Sequence, residues 1–290
     1  MNISLANMNA SGEHLEYFNY SEDIFFSIAL IICCIGAPLN GIVIWLLGFQ
    51  IKRNPFTVLI LNLAIADFGF LIIMTIFCID IFIGFIQPGI LQIIFYSLLN
   101  VTYINGLFLL TAISIDRCVS VLFPIWHRCS RPKYLSPAVC TFLWIFSSLL
   151  IGIHYIMQHL FWNLHLVVTA VLCLPLMTTS TVILFIKICL KSKQMKRGRL
   201  LVMILITLLC FLILNLPFYF YVFITHFLKK ENFVDANELD FYLSPSASLN
   251  SSVNPVIYFL VGRKKRARSR ESVKVIFQRV FREDEAPETR

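Results

Sequence analysis

The sequence predicts an all-α membrane protein: a seven-transmembrane helix bundle with a short amphipathic cytoplasmic helix after the seventh span. Three observations carry this. The 290 residues are 58% hydrophobic and only 14% charged, against about 25% charged in an ordinary soluble domain, and the mean hydropathy is +0.80. The apolar residues fall into runs long enough to cross a hydrocarbon layer of about 30 Å, which takes about 20 residues of helix. The lysines and arginines collect on alternate connections, on one side of such a bundle. Strand spans would need about ten alternating residues each, and these runs neither alternate nor stop so early.

Taken in order, residues 1–23 form a polar tail with no basic residue, and the spans follow at about 24–49, 56–84, 90–122, 136–158, 164–190, 199–228 and 240–261. No basic stretch leads to a small-residue cleavage site, so the first span is expected to be retained. Only HLFWN, residues 159–163, separates the fourth and fifth spans, which predicts a very short turn. Lys52 and Arg53 follow the first span; Arg128, Arg131 and Lys133 follow the third; Lys191 to Arg199 fill the gap before the sixth. The opposite side holds only Lys229 and Lys230. The N-terminus is therefore outside and the C-terminus in the cytoplasm. Three regions result: an extracellular tail (1–23), the spanning domain (24–262) and a cytoplasmic amphipathic helix and tail (263–290). In the last, RKKRARSRESVKVIFQRVF sets Val273, Ile276, Phe277, Val280 and Phe281 at helical spacing beside a basic face, the pattern of a helix lying on an anionic leaflet. The net charge of +8 reads as orientation and lipid contact, with no nucleic-acid partner.

The tail carries three N-glycosylation sequons, at Asn2, Asn9 and Asn19. Asn100 and Asn250 also head sequons but lie within spans, where they are expected to stay unmodified. The nine cysteines lie in spans or near the cytoplasmic face and show no CxxC spacing. They read as packing residues, and neither metal nor cofactor is expected.

A charged residue in mid-membrane costs about 2.5–3.5 kcal/mol on insertion scales, so each is a functional candidate. LNLAIADF (61–68) places Asp67 mid-span, with Asp80 some turns further outward. Asn40 in the first span and Asn250, Ser251 and Asn254 in the seventh share the depth of Asp67, so a polar network or a monovalent-cation (sodium) site is expected there. Pro217 and Pro255 each remove a helical hydrogen bond and supply a hinge. TAISIDRC (111–118) ends the third span in an acid-base pair, Asp116-Arg117. By itself that pair reads equally as a membrane-boundary marker.

Asn40, LAIAD, Asp116-Arg117, Trp144 and Asn254-Pro255-x-x-Tyr258, in this order and spacing, resemble the rhodopsin-like G-protein-coupled receptors over residues 24–282. IKRNPFTVLILNLAIADF, LLTAISIDRCVSVLFPIWHRCSRPK and SVNPVIYFLVGRKKRARSRESVK resemble the Mas-related family, in which a cysteine such as Cys118 follows the arginine. The resemblance implies a cell-surface receptor that binds an extracellular peptide or small molecule and activates a heterotrimeric G protein, of the Gq or Gi class. It implies that Asp116 and Arg117 pair at rest, that Pro217 and Pro255 flex, and that Tyr258 swings inward on activation. The departures are specific. Gln92 stands near the place of the usual cysteine atop the third span, and His154 and Asn163 replace the acids through which some relatives hold cationic ligands. Leu214-Asn215-Leu216 replaces the tryptophan before Pro217, and Gly106 stands where a serine usually faces the cation. The outer ligand pocket is expected to draw on Asp80, Tyr103, His154, Asn163 and Trp162, with Phe218, Tyr221 and Asp240 opposite.

Other classes fit less well. A multi-span transporter or channel predicts internal repeats or paired broken helices, and the two halves show no convincing repeat. A retinal pigment needs a lysine in residues 240–261, which hold none. An enzyme needs a metal cluster or a paired nucleophile and base, and the six histidines are scattered.

Overall fold

The computed structural model describes residues 2–156, 164–190, 202–215, 236–262 and 273–282, with the backbone alone for 2–22, 128, 164–166, 188, 190, 236–243, 262, 273 and 279–282. The helices are α1 (Asn2–Trp45), α2 (Pro55–Ile83), α3 (Ile90–Leu122), α4 (Pro124–Cys129), α5 (Leu135–Ile156), α6 (Leu164–Leu190), α7 (Val202–Asn215), α8 (Ala236–Gly262) and α9 (Val273–Arg282). Among the described residues, five helical stretches are long and apolar enough to cross a membrane, and the apolar α7 is shorter.

Two boundaries differ from the sequence reading. The backbone of α1 is helical from Asn2, so the polar tail runs into the first span without a break; its apolar part, Asp23–Gln50, ends in a π-helical turn, Leu46–Gln50. The cytoplasmic helix α9 takes only the apolar part of the expected 263–281 stretch, and residues 263–272 lie outside the described residues. So do Pro217 and the rest of the expected sixth span beyond Asn215.

The turn from α1 to α2 is fixed by its own side chains. Ile51 N–H closes on Leu46 O at 2.9 Å, and Arg53 Nη2 donates to Gly48 O at 3.0 Å, satisfying carbonyls that the helix end leaves open. Asn54 Oδ1 then accepts from Thr57 N–H at 2.7 Å while Thr57 Oγ1 accepts from Asn54 N–H at 2.8 Å. That reciprocal cap, with Pro55 at the first helical position, starts α2 at a defined residue. At about 1.5 Å per residue, Asp67 lies about 18 Å along α2 from Pro55, near the bilayer midplane. The far end of α2 stops at Gly84, whose φ of 65° is the left-handed conformation that glycine takes most readily.

α1 packs on α2 and α8, and α3 stands centrally against α2, α5 and α6. α1 and α8 approach closely at Gly36, where a Cβ would collide with the Ser252 side chain. Ser252 turns its hydroxyl to Ser248 O at 2.7 Å, and Cys33 Sγ lies 3.4 Å from Ser248 Oγ. Small residues thus let two backbones meet where lipid offers no hydrophobic driving force between helices. Trp144 Nε1 donates to Asn62 Oδ1 at 3.3 Å, joining α5 to α2. Asn62→Ala is expected to lower the midpoint of thermal unfolding modestly, in line with about 1 kcal/mol for one hydrogen bond; an unchanged midpoint in a fluorescence melt would show that this long bond contributes nothing.

Candidate functional site

The polar side chains of the spans gather at two depths. At mid-membrane, Asp67 is 4% exposed and accepts from Asn254 Nδ2 at 2.8 Å, α2 to α8. The Ser251 hydroxyl also bonds Asp67. Asn40 Nδ2 donates to Ser251 O at 3.0 Å and to Gly36 O at 3.1 Å, which brings α1 into the same cluster. Asn250 is buried beside Ser251. Gly106 of α3 faces this acid, its missing Cβ position lying 3.5 Å from Asp67 Oδ1. Asn40, Asp67, Ser251 and Asn254 are therefore brought together, and the donors to the acid are neutral groups.

At the cytoplasmic end of α3, Asp116 and Arg117 meet side by side: Arg117 Nη2 to Asp116 Oδ2 is 3.0 Å. Arg117 is 2% exposed, and its guanidinium lies 3.8 Å from the centre of the Phe56 ring of α2, a cation–π contact made stronger by desolvation. The other carboxylate oxygen of Asp116 binds Arg131 Nη2 at 2.7 Å. That arginine also holds Ser136 Oγ at 2.7 Å and His127 Nε2 at 2.9 Å. The same His127 Nε2 lies 3.5 Å from Asp116 Oδ1, so the imidazole is held between the acid and Arg131. The acid thus sits between two arginines, one from its own helix and one from the turn after α4. Burial of such a set is tolerable only because each charge has partners.

His127 and Arg131 were not singled out from the sequence; Arg131 entered only as an orientation charge. The signal was present in HRCSR (127–131): His127 and Arg131 stand four residues apart, ten and fourteen residues beyond Arg117. Tyr258, expected to serve the same end, is buried and stands edge-on to Phe277 of α9, centroids 6.5 Å apart. Cys118 is buried against α6, its Sγ 3.4 Å from Ser180 O; a thiol suits that close approach where a phenol would not fit.

The outer residues are less gathered. Asp80 Oδ1 accepts from Ile86 N–H at 2.7 Å and so holds the loop after α2. It borders a cavity of only about 10 Å³, about enough for one water. Tyr103 stacks near Phe70 and donates to Asn215 Oδ1 of α7 at 3.0 Å. His154 is half-buried beside the Tyr155 ring. Asp240 lies in α8 and Asn2, Asn9 and Asn19 in α1, where only the backbone is described. Asn163, Trp162, Phe218 and Tyr221 fall outside the described residues.

A bundle of spanning helices around a central α3, with a buried acid at mid-depth and an arginine paired with an acid at the inner end, has the arrangement expected of a receptor of the rhodopsin class. The chain matches the family 7 transmembrane receptor (rhodopsin family) over residues 39–258. It is 38% identical to Mas-related G-protein coupled receptor member D of Macaca fascicularis, with 96% of this chain and 93% of that protein covered. It is 36% identical to Proto-oncogene Mas of Homo sapiens (87% and 82% covered) and to Mas-related member H of Rattus norvegicus (94% and 86%). The chain belongs to the Mas and Mas-related G-protein-coupled receptor family. It is a multi-pass plasma-membrane receptor that couples an extracellular ligand to a heterotrimeric G protein, and it is not an enzyme.

Proposed function

We propose that the Asp116–Arg117 pair is the latch that holds this receptor at rest, and that release of Arg117 opens the cleft for the G protein. The observation carrying this reading is that Arg117, 2% exposed, is held at once by Asp116 and by the Phe56 ring. A charge so placed has two defined states, and an agonist acts only through its differential affinity for them. Tyr258, now against Phe277, would turn inward to meet the released guanidinium, with Pro255 and Pro217 as the flexible points. The Asp67 cluster couples α1, α2 and α8, so that a shift of α8 at Asn254 is felt on α2.

Gly106 offers no oxygen toward Asp67, and we read the cluster as a hydrogen-bond network in preference to a sodium site. Agonist affinity measured in sodium chloride against choline chloride is expected to be the same; a sodium-dependent fall would assign the cluster to the cation.

The outer ligand is read as a peptide or small molecule bearing a basic group, with Asp80 and Asp240 as candidate acids and Tyr103, His154, Asn163, Phe218 and Tyr221 as further candidate contacts. Asp80→Asn keeps an acceptor for Ile86 N–H but removes the charge. It is expected to weaken a cationic agonist about tenfold, the loss of a charge-assisted hydrogen bond. An unmoved dose-response curve at equal surface density would take Asp80 out of the pocket. Coupling through Gq or Gi follows from the family resemblance, and nucleotide exchange on purified Gq and Gi separates the two. FIKICLKS after Pro175-Leu176-Met177 supports kinship with member H, and Asn2, Asn9 and Asn19 are the proposed glycan sites.

A further inference from the structure

Behind the latch, on its lipid side, lies a cavity of about 260 Å³ between α3, α4 and α5, with Leu59 of α2 at its back. Its walls are apolar, formed by Ala112, Ile115, Val119, Trp126, Leu135 and Val139. Ile115, Trp126 and Leu135 are 38%, 46% and 37% exposed, so the mouth opens toward the acyl chains. The polar end is built of Asp116, His127, Arg131 and Ser136. Arg131 is 8% exposed, and its Nε is buried with no hydrogen-bond partner. Asp116 stands against both Arg117 and Arg131, which sets two guanidinium groups against one carboxylate in this corner. It lies at the end of the spans, where inner-leaflet head groups begin.

We propose that this cavity binds a single-chain lipid with an anionic head, its chain between α3 and α5 and its carboxylate or phosphate at Arg131. The arrangement matches such a molecule part by part. The volume of about 260 Å³ accommodates a length of alkyl chain. The head group finds a guanidinium, the side chain best suited to planar anions. The route in lies through the bilayer, where the amphiphile already resides. The site is separate from the outer pocket and from the cytoplasmic cleft, and its occupancy does not depend on the latch reading.

The test uses the full-length receptor in nanodiscs of neutral phosphatidylcholine. Three photoactivatable probes share one alkyl chain and end in a carboxylate, a phosphate or an uncharged alcohol. Labelled peptides are mapped by mass spectrometry. The expected result is that one or both anionic probes concentrate on residues 112–139 and are displaced by excess unlabelled palmitate or lysophosphatidate; which of the two does so names the head group. The alcohol is expected to label about tenfold less, the worth of a hydrogen bond to a charged group. Ala112→Phe and, independently, Val139→Trp fill the cavity and are expected to remove the labelling while the melting curve shows a folded receptor. Arg117→Ala leaves one guanidinium to one carboxylate in this corner and is expected to weaken labelling by the anionic probes while leaving that by the alcohol unchanged. Labelling spread evenly over the lipid-facing surface, equal labelling by the alcohol, or full labelling of both filled variants would each overturn the proposal.

Discussion

Arg117→Ala is expected to abolish agonist-driven nucleotide exchange while leaving the receptor at the cell surface. The two halves of this expectation have separate causes. Signalling is lost because the group that the opened cleft is meant to present has gone. Folding survives because the acid left behind keeps a partner: Arg131 Nη2 remains 2.7 Å from Asp116, so removal of Arg117 does not strand a buried carboxylate, the usual route to a loss of about 3–5 kcal/mol. Surface density is read by antibody against an N-terminal tag, and exchange by nucleotide loading of the G protein in isolated membranes. Wild-type exchange by the variant would end the latch mechanism. Asp116→Asn is expected to act in the opposite sense and raise basal exchange, since it weakens the hold on Arg117 without removing the guanidinium. Loss of basal exchange in that variant would show that the pair supports the active state.

The second large effect is on folding. Gly36→Val is expected to lower the thermal midpoint by about 5–10 °C, the equivalent of about 3 kcal/mol, or to keep the protein from the surface altogether. A Cβ at residue 36 meets Ser252 Oγ and lies 2.7 Å from Ser252 Cβ. The second of these atoms sits at the root of its side chain, so α1 and α8 must move apart. They then pull on the bond from Asn40 to Ser251 O, one turn away. The compensating pair is available. In Gly36→Ala/Ser252→Gly the nearest remaining neighbour is Leu71 Cδ1, at 3.0 Å and at the end of a flexible side chain. The double variant is expected to recover most of what Gly36→Ala loses. Additive losses would show that the contact is not the cause.

The sequence was most informative where one side chain determines the outcome alone. Apolar length marked the spans, and α3 and α6 begin and end where those runs do. Lysine and arginine placement set the orientation, and Asp67 declared itself by being charged in lipid. What was hidden depended on pairs far apart in the chain. That Asn254 reaches Asp67, or that Tyr103 reaches Asn215, follows from helix rotation, which apolar runs without a polar face do not report. Arg131 was misjudged for a related reason. A basic residue just outside a span looks like a surface charge, and only the fold of α4 back toward α3 makes it a partner of Asp116. The outer pocket was least legible, because its residues sit at helix ends, where a tyrosine or histidine serves the interface as readily as a ligand.

The enclosure of Asp116, Arg117 and Arg131 sets how the receptor responds to its ionic surroundings. Dissolved ions reduce attraction between exposed charges over about 8 Å at physiological strength, and reach buried pairs far less. With these side chains 11%, 2% and 8% exposed, added potassium chloride is expected to leave the ratio of agonist-driven to ligand-free exchange unchanged. It is the encounter of the basic cytoplasmic loops with the G protein that it should slow, in both rates alike. A titration of salt against basal and agonist-driven rates therefore separates two kinds of electrostatics in one molecule: a sealed kind, proposed above to hold the resting state, and an open kind that recruits what reads it.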